Sequence, residues 1–560
     1  MSKKVSNPSL SALPLGGVGE CGSLNMMVYE CNGDLIVVDA GIGFPQPYTP
    51  GIDAMIPDIS YLRQNLNRLK GLFITHAHED HIGAVHYLWE ELQCPVYLTQ
   101  FARLVLEDKL EQVGLKDEVP LHTVKTGDRV QAGNLEVEFV GISHSIPESH
   151  ALMVRTEHGN ILHTGDYKFD NTAPAGCVAN ADYLTKIGDE GVLAMFADST
   201  SVAIKGKGVD EKTVQDNMQQ LVAGMKNRVY FCTTASHIAR ICGGMEAAVA
   251  NGRKVAIFGR SMQRRVENAK ECGFIKPHLS KNIVDIDEAM KLPKDKVFII
   301  VTGSQAQTRA ALWRLSRGDL HKMSITPGDD VILSSLWIPG NEREISKMVS
   351  NLAYEGAEVH HIRNNRAIYA SGHPYEDDVK EMYERIRPEI MVPVHGDFAQ
   401  MKTNIKLAKS MGIAQQFMIE DGRKLHLAPE KAYVTEDVIP VGRNYVDGYN
   451  ILDEDRFILR DRVKLSETGM ATVTVAVEKQ TGELVAGPTI KTKGIIDEKL
   501  QPEVVELAEN MAKQALENQF PDGVINKPEL AEEMIRQSVR RAFQKERGRK
   551  PITVATVLEV

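Results

Sequence analysis

No apolar stretch in this 560-residue chain approaches the roughly 20 residues that a bilayer-spanning helix needs; the longest runs, such as Val297-Phe298-Ile299-Ile300-Val301, are strand-sized. The N-terminal MSKKVSNPSLSALPLGG has two lysines but no apolar signal core, so a cytoplasmic address is expected. Cysteine is scarce: seven residues (21, 31, 94, 177, 232, 242, 272), an odd number without a C-x-x-C, which excludes a disulfide framework or zinc knuckle and reads as reduced, mostly packed thiols. Positive charge is not in excess. A formal net charge of −10 excludes a uniformly basic coat, although field focusing depends on where charges sit. The arginine groups at 260, 264 and 265, at 309, 314 and 317, and in the tail from Arg536 to Lys550 read as solvated helix faces. Repeats and low-complexity tracts are also missing.

What is present is a globular composition, 43% apolar and 25% charged, long enough for several cores. From residue 9 to about 200 one pattern recurs, a short apolar run followed by a polar turn with a chemically useful residue. Leu35 to Val38 ends in Asp39, and Leu72-Phe73-Ile74 in His76. The alternating segment Leu135 to Ile142 ends at His144, and Ile161-Leu162 leads to Asp166. Ligand-type residues thus gather along one sheet edge. From 209 to 358 strands alternate with helical stretches, the mark of an open α/β domain with a largely parallel sheet. This domain interrupts the first, because a further strand-then-ligand unit, Ile390 to Val394 followed by His395, comes after it. The expected division is 1–208 and 359–430 for the interrupted domain, 209–358 for the insert, 431–462 for a linker and 463–560 for a small terminal α+β domain.

The sharpest signal is His76-Ala77-His78-Glu79-Asp80-His81. His76 and His78, two apart on an extended segment, project to one side and can grip one ion; Asp80 and His81, turning the other way at a helix start, can serve a second. His144 and His395 are unremarkable alone, but they follow strands and supply ligands the hexapeptide lacks. Asp166 in His-Thr-Gly-Asp-Tyr is suited to bridge two cations with its two oxygens. Asp39 is placed to orient a ligand imidazole. Such an ion pair lowers the pKa of a shared water towards neutrality and clamps phosphate oxygens. Ser236-His237 follows a strand and opens a helical stretch, whose free N–H groups attract an anion.

His76-x-His78-x-Asp80-His81 with Asp39, His144 and Asp166 resembles the metallo-β-lactamase superfamily. Asp198 in Ala-Asp-Ser-Thr, His373 in Ala-Ser-Gly-His-Pro and His395 in Pro-Val-His-Gly-Asp narrow the likeness to β-CASP nucleases, and within them to the bacterial ribonuclease J family. Segments such as Pro14 to Glu20, Gly259 to Met262, Ile338 to Glu342 and Tyr445 to Gly448 extend it over most of the chain. The resemblance implies an αββα sandwich split by an α/β β-CASP insert, and a C-terminal domain used for oligomerisation as a homodimer or homotetramer. It implies two Zn²⁺ per subunit, with Mn²⁺ or Mg²⁺ able to support activity. One ion would be held by His76, His78, His144 and Asp166, the other by Asp80, His81, His395 and Asp166. His373, held by Asp198, would act as general acid, and these two are counted with Asp80 as catalytic.

The substrate implied is single-stranded RNA with 5′-monophosphate ends, cut by 5′-to-3′ exonuclease and some endonuclease action to leave 5′-phosphates. The setting implied is messenger RNA decay and ribosomal RNA maturation, beside RNA-decay or ribosome-associated proteins. A 5′-phosphate pocket would draw on Ser236, His237, Tyr369, Ala370, Ser371, Gly372 and His373, and a structural Ca²⁺ would sit near Asp447. The chain departs from the family at Ala306 and Gln307, where a glycine and an acid are usual, and at Ser236-His237-Ile238-Ala239, where Ser-Asn-Ile-His is usual. Both departures touch the insert's substrate face. A lactamase-like hydrolase of small molecules and a catalytically silent RNA-binding subunit are the alternatives.

Overall fold

The computed structural model describes residues 10–46, 48–172, 178–338, 340–448, 450–452 and 456–560; Cys177 lies outside them. Two compact units form, one from the described residues up to Gly43 and from Met55 to Arg443, the other from Phe44–Ala54 and Asn444–Val560.

In the first unit two sheets face each other. One has eight strands, with Leu10–Gly16, Met26–Cys31, Asp34–Val38 and Leu69–Phe73 at its centre; the other has seven, built around His150–Arg155, Ile161–His163, Ala194–Asp198 and Ile390–Val394. Alternation decides which side chains meet. Leu135, Val137 and Phe139 enter the shared core with Tyr29, Ile36, Val38, Phe73, Leu152 and Phe196, whereas Val140 joins a second cluster on the far face of its sheet. That second cluster takes Leu184 and Ile187 of helix Ala181–Asp189 and Val379, Met382 and Ile386 of helix Glu376–Ile386. Under the other sheet, Val85–Leu92 and Gln100–Val113 make the crossovers between the parallel strands Leu69–Phe73, Val96–Leu98 and Leu121–Thr123. The result is the αββα sandwich of the metallo-β-lactamase fold.

The insert carries a six-stranded, wholly parallel sheet in the order Ile283–Val284, Lys254–Phe258, Val297–Val301, Val229–Cys232, Asp330–Leu333, Glu358–His361. Its central strands are buried throughout, which is why they read as continuous apolar runs. Two expected boundaries move. The division at 358 falls inside the edge strand Glu358–His361, and the linker expected from 431 begins later, because Tyr433–Val438 pairs with Arg423–His426 at the edge of the eight-stranded sheet. Both are polar edge strands with little apolar alternation to betray them.

In the second unit Met470–Val477 lies between Leu484–Lys493, antiparallel, and Ile552–Glu559, parallel. Its inward residues Ala471, Val473, Val475 and Val477 pack with Leu516, Ile535, Val539 and Phe543 of helices Pro502–Gln519 and Pro528–Arg547, each opened by a proline in its first turn. Among the described residues no helix is long and apolar enough to cross a membrane, and every described cysteine is free, with only Cys21 exposed.

Candidate metal centre

Every residue of the centre leaves the end of a strand or the turn after it. His76 follows Leu69–Phe73, and His78 caps the short helix Glu79–Ile82 that carries Asp80 and His81. Asp166 follows Ile161–His163, Asp198 ends Ala194–Asp198, and His395 follows Ile390–Val394. The turns are tight. A Cβ on Gly41 would lie 1.6 Å from the Asp80 carbonyl oxygen, so only glycine lets this loop hydrogen-bond across to residues 79 and 81. Asp39 and His395 both take left-handed backbone conformations (φ 62° and 48°), rare for residues with a Cβ and typical of functional positions.

Three groups of ligand atoms converge, each with its atoms within 4.8 Å of one another: His76, His78, His144 and Asp166; Asp80, His81, Asp166 and His395; and Asp166, Asp198, His373 and His395. In the first, His76 Nε2 and His144 Nε2 are each 3.1 Å from His78 Nδ1. In the second, Asp80 Oδ2 is 3.4 Å from His81 Nε2 and 3.3 Å from His395 Nε2. Asp166 Oδ2 serves both, 3.8 Å from His76, 3.6 Å from His144 and 3.3 Å from both His81 and His395.

The donor set fits a pair of divalent cations. Asp166 Oδ1 is buried with no hydrogen-bond partner, a costly state for a carboxylate unless a cation meets it. Burial pushes His76 and His144 far below the usual imidazole value and His78 to about 4, so all three are neutral and present lone pairs. Burial works the same way on His81 and His395, but the Asp166 carboxylate beside them outweighs it and holds both up.

The far ring nitrogens are fixed as well. His81 Nδ1 donates to Asp39 Oδ2 at 2.7 Å, and Asp39 also accepts from the Thr75 backbone N–H and hydroxyl. His144 Nδ1 donates to the Gly372 carbonyl at 2.6 Å, His395 Nδ1 meets Thr200 Oγ1 at 2.7 Å, and His78 Nε2 lies 3.2 Å from Ser236 Oγ. Asn25 reaches Asp80 through its side-chain amide. Asn25, Thr75 and Thr200 are invisible to motif reading, being neutral polar residues of common types.

His373 stands at the edge of the cluster, its Nδ1 donating to Asp198 Oδ2 at 2.8 Å. Burial would depress this imidazole, but Asp198 raises it above the ordinary value, while the ring keeps 22% side-chain exposure beside a fully buried Asp198. Ser371 Oγ accepts from the His373 N–H. The remaining pocket residues are placed differently. His237 turns inward, its Nδ1 accepting from the Arg240 N–H and its Nε2 facing Glu211, so its imidazole is a helix cap and not a phosphate contact. Tyr369 and Ala370 pack against Arg240, Ala370 through its carbonyl. Ala239 and Ala306 are buried, Ala306 in a left-handed turn, and Gln307 is exposed. Asp447 pairs with Arg462 at 2.5 Å and belongs to no cluster of three or more ligand side chains among the described residues.

Four family models match in succession: the metallo-beta-lactamase superfamily over 19–182, the ribonuclease J beta-CASP domain over 226–352, the Zn-dependent metallo-hydrolase RNA specificity domain over 363–415 and the ribonuclease J C-terminal domain over 457–560. Ribonuclease J of Sinorhizobium meliloti is 36% identical over 98% of this chain and 97% of its own length. The chain belongs to the ribonuclease J family. Ribonuclease J2 of Bacillus subtilis is 33% identical with each chain covered in full. As a member of the ribonuclease J family the protein is a metal-dependent hydrolase acting on RNA phosphodiester bonds. A crystal structure of a protein of unknown function from Enterococcus faecalis V583 aligns with a TM-score of 0.51 at 15% identity, covering 76% of this chain and all of that one; it shares the fold.

Proposed function

We propose that the protein is a cytoplasmic 5′-to-3′ exoribonuclease with some endonuclease activity, which leaves 5′-phosphates and acts in messenger RNA decay and ribosomal RNA maturation. The observation that carries this reading is the His373–Asp198 pair standing beside two ligand groups that share Asp166. His76, His78, His144 and Asp166 would hold one divalent ion and Asp80, His81, His395 and Asp166 the other, zinc by the weight of imidazole donors. When bound, such a pair supplies a water acidified to near neutral pH and neutralises charge on the phosphate.

The chain's own residues do the rest. With Nδ1 committed to Asp198, His373 offers Nε2 to hand a proton to the departing 3′ oxygen. Asp39 and the Gly372 carbonyl hold His81 and His144 in single orientations, so no reorganisation is needed when charge develops. Ser236 precedes the 13-residue helix Ile238–Ala250, whose N-terminus faces the His78 side of the cluster and favours a 5′-phosphate there.

The test is a time course on single-stranded RNA with 5′-monophosphate or 5′-triphosphate ends, with zinc or manganese supplied. Mononucleotides released first from the monophosphorylated substrate are expected. A fully metallated protein that releases none overturns the exonuclease reading.

A further inference from the structure

Four charged side chains lie in the interior where the insert meets the sandwich: Lys168, Asp170, Glu211 and Arg240, none more than 3% exposed. Burying charges is expensive unless each is paired and its hydrogen bonds are met. Here two cations meet two anions. Arg240 donates from Nε and Nη2 to the two Glu211 oxygens, both at 2.9 Å. Lys168 Nζ lies 2.9 Å from Asp170 Oδ2 and 3.2 Å from Glu211 Oε1, and the Glu211 N–H donates to Asp170 Oδ2 at 2.8 Å.

The network touches the metal centre from two sides. Lys168 and Asp170 follow Asp166, and Ser143, next to His144, is bonded to both: its carbonyl accepts from the Lys168 N–H and its hydroxyl donates to the Asp170 carbonyl. From the other end, Arg240 spends its remaining hydrogens on the segment that leads to His373. Nη1 donates to Ser334 Oγ at 2.7 Å and to the Ile368 carbonyl at 3.3 Å, Nη2 reaches the Ala370 carbonyl at 3.4 Å, and the guanidinium lies over the Tyr369 ring. Ser334 Oγ itself donates to the Ile368 carbonyl at 2.6 Å. Two residues after Ala370 comes the carbonyl that orients His144, and one further on comes His373.

We propose that Arg240, paired with Glu211, is a positioning residue that registers the segment 368–373 against the loops carrying His144 and Asp166, and so places His373 for proton transfer. Arginine suits this task because its planar fork meets a carboxylate with two nitrogens while further hydrogens reach carbonyls on another segment; a lysine ammonium has one nitrogen and no fixed plane. The proposal rests on the reading of His373 as proton donor, and the experiment separates the two.

RNA, whose 3′-oxygen leaving group needs a proton, is compared with bis(p-nitrophenyl) phosphate, whose leaving group does not. Arg240→Lys is expected to lower kcat on RNA by about tenfold or more, since small misplacements of a reacting group carry costs of that order. Bound metal, KM for RNA and turnover of the activated ester should stay within about twofold. In a His373→Ala background the same change should add less than about twofold, because both act through one group. Equal loss on both substrates, or full multiplication of the two effects, overturns the assignment of Arg240. A His373→Ala protein that slows both substrates alike removes the proton-donor reading, whatever Arg240 does. Should Arg240→Lys fail to fold, Ser334→Ala breaks the link to the Ile368 carbonyl more gently, and the same RNA-selective loss, smaller in size, is expected; an unselective loss counts against the proposal.

Discussion

Each imidazole of the centre has one nitrogen facing the cluster, and the other is held by a specific partner: Thr75 for His76, Asp39 for His81, Gly372 for His144, Thr200 for His395 and Ser236 for His78. This division makes the sites separable by substitution. Asp39→Asn is nearly isosteric, and asparagine tolerates the left-handed backbone found there at least as well as aspartate. It loses the charge that fixes His81, so affinity at the Asp80–His81–His395 site should fall by about 10- to 100-fold, with a smaller loss at the His76–His78–His144 site, which Asp39 reaches only through the Thr75 hydroxyl. Chelator competition read site by site checks this; equal weakening of both would deny Asp39 its specific role. The converging His and Asp side chains were legible because His and Asp at close fixed spacing are rare, and His144 and His395 gained meaning from the strands before them. Of the orienting shell only Asp39 was legible, from its place at a strand end. Thr200 and the Gly372 carbonyl become partners only through contacts 195 and 228 positions apart in sequence.

The strands of the sandwich and the insert could be read from alternation and from unbroken apolar runs, since burial on one face or two dictates those patterns. Elements held by backbone pairing and one buried contact could not. Val18–Gly19, paired in parallel with Gly396–Asp397 just after His395, is such a case. Its Val18 N–H donates to Asp421, whose carboxyl burial, with Glu20 nearby, pushes up to about 7, against the partial relief of Arg443. The unfolded chain's aspartate titrates near 3.9. Between those values the folded state holds a proton the unfolded state has lost, so this group's contribution to stability falls as pH rises from about 4 to 7 and stays low above. Asp421→Asn keeps the acceptor oxygen and cannot ionise. It should melt higher than the parent protein at pH 8 and alike at pH 4, and a melting difference independent of pH would contradict the assignment.

Each of the two compact units has its own hydrophobic core, and the ligand groups belong entirely to the first. An ion that binds only folded protein stabilises it by about 4 kcal/mol at a thousand times its dissociation constant. Calorimetry with and without a strong chelator should therefore shift the transition of the sandwich unit downwards by several degrees and leave that of the C-terminal unit in place. A common shift of both transitions would show that the units unfold as one.

The interruption of the sandwich also sets a timetable for its birth. His76, His78, His144 and Asp166 leave the ribosome before any of the insert exists, while His395 follows Asp166 by roughly 230 residues, a delay of about 10 to 50 s at ordinary bacterial translation rates. During that interval the nascent chain owns one complete set of ligands and only part of the other. Even the complete set is loosely aimed, because Ser236 and Gly372, which steady His78 and His144, are made later. The interval ends when the returning strand Ile390–Val394 joins the second sheet against Ala194–Asp198 and brings His395 within 3.3 Å of Asp166.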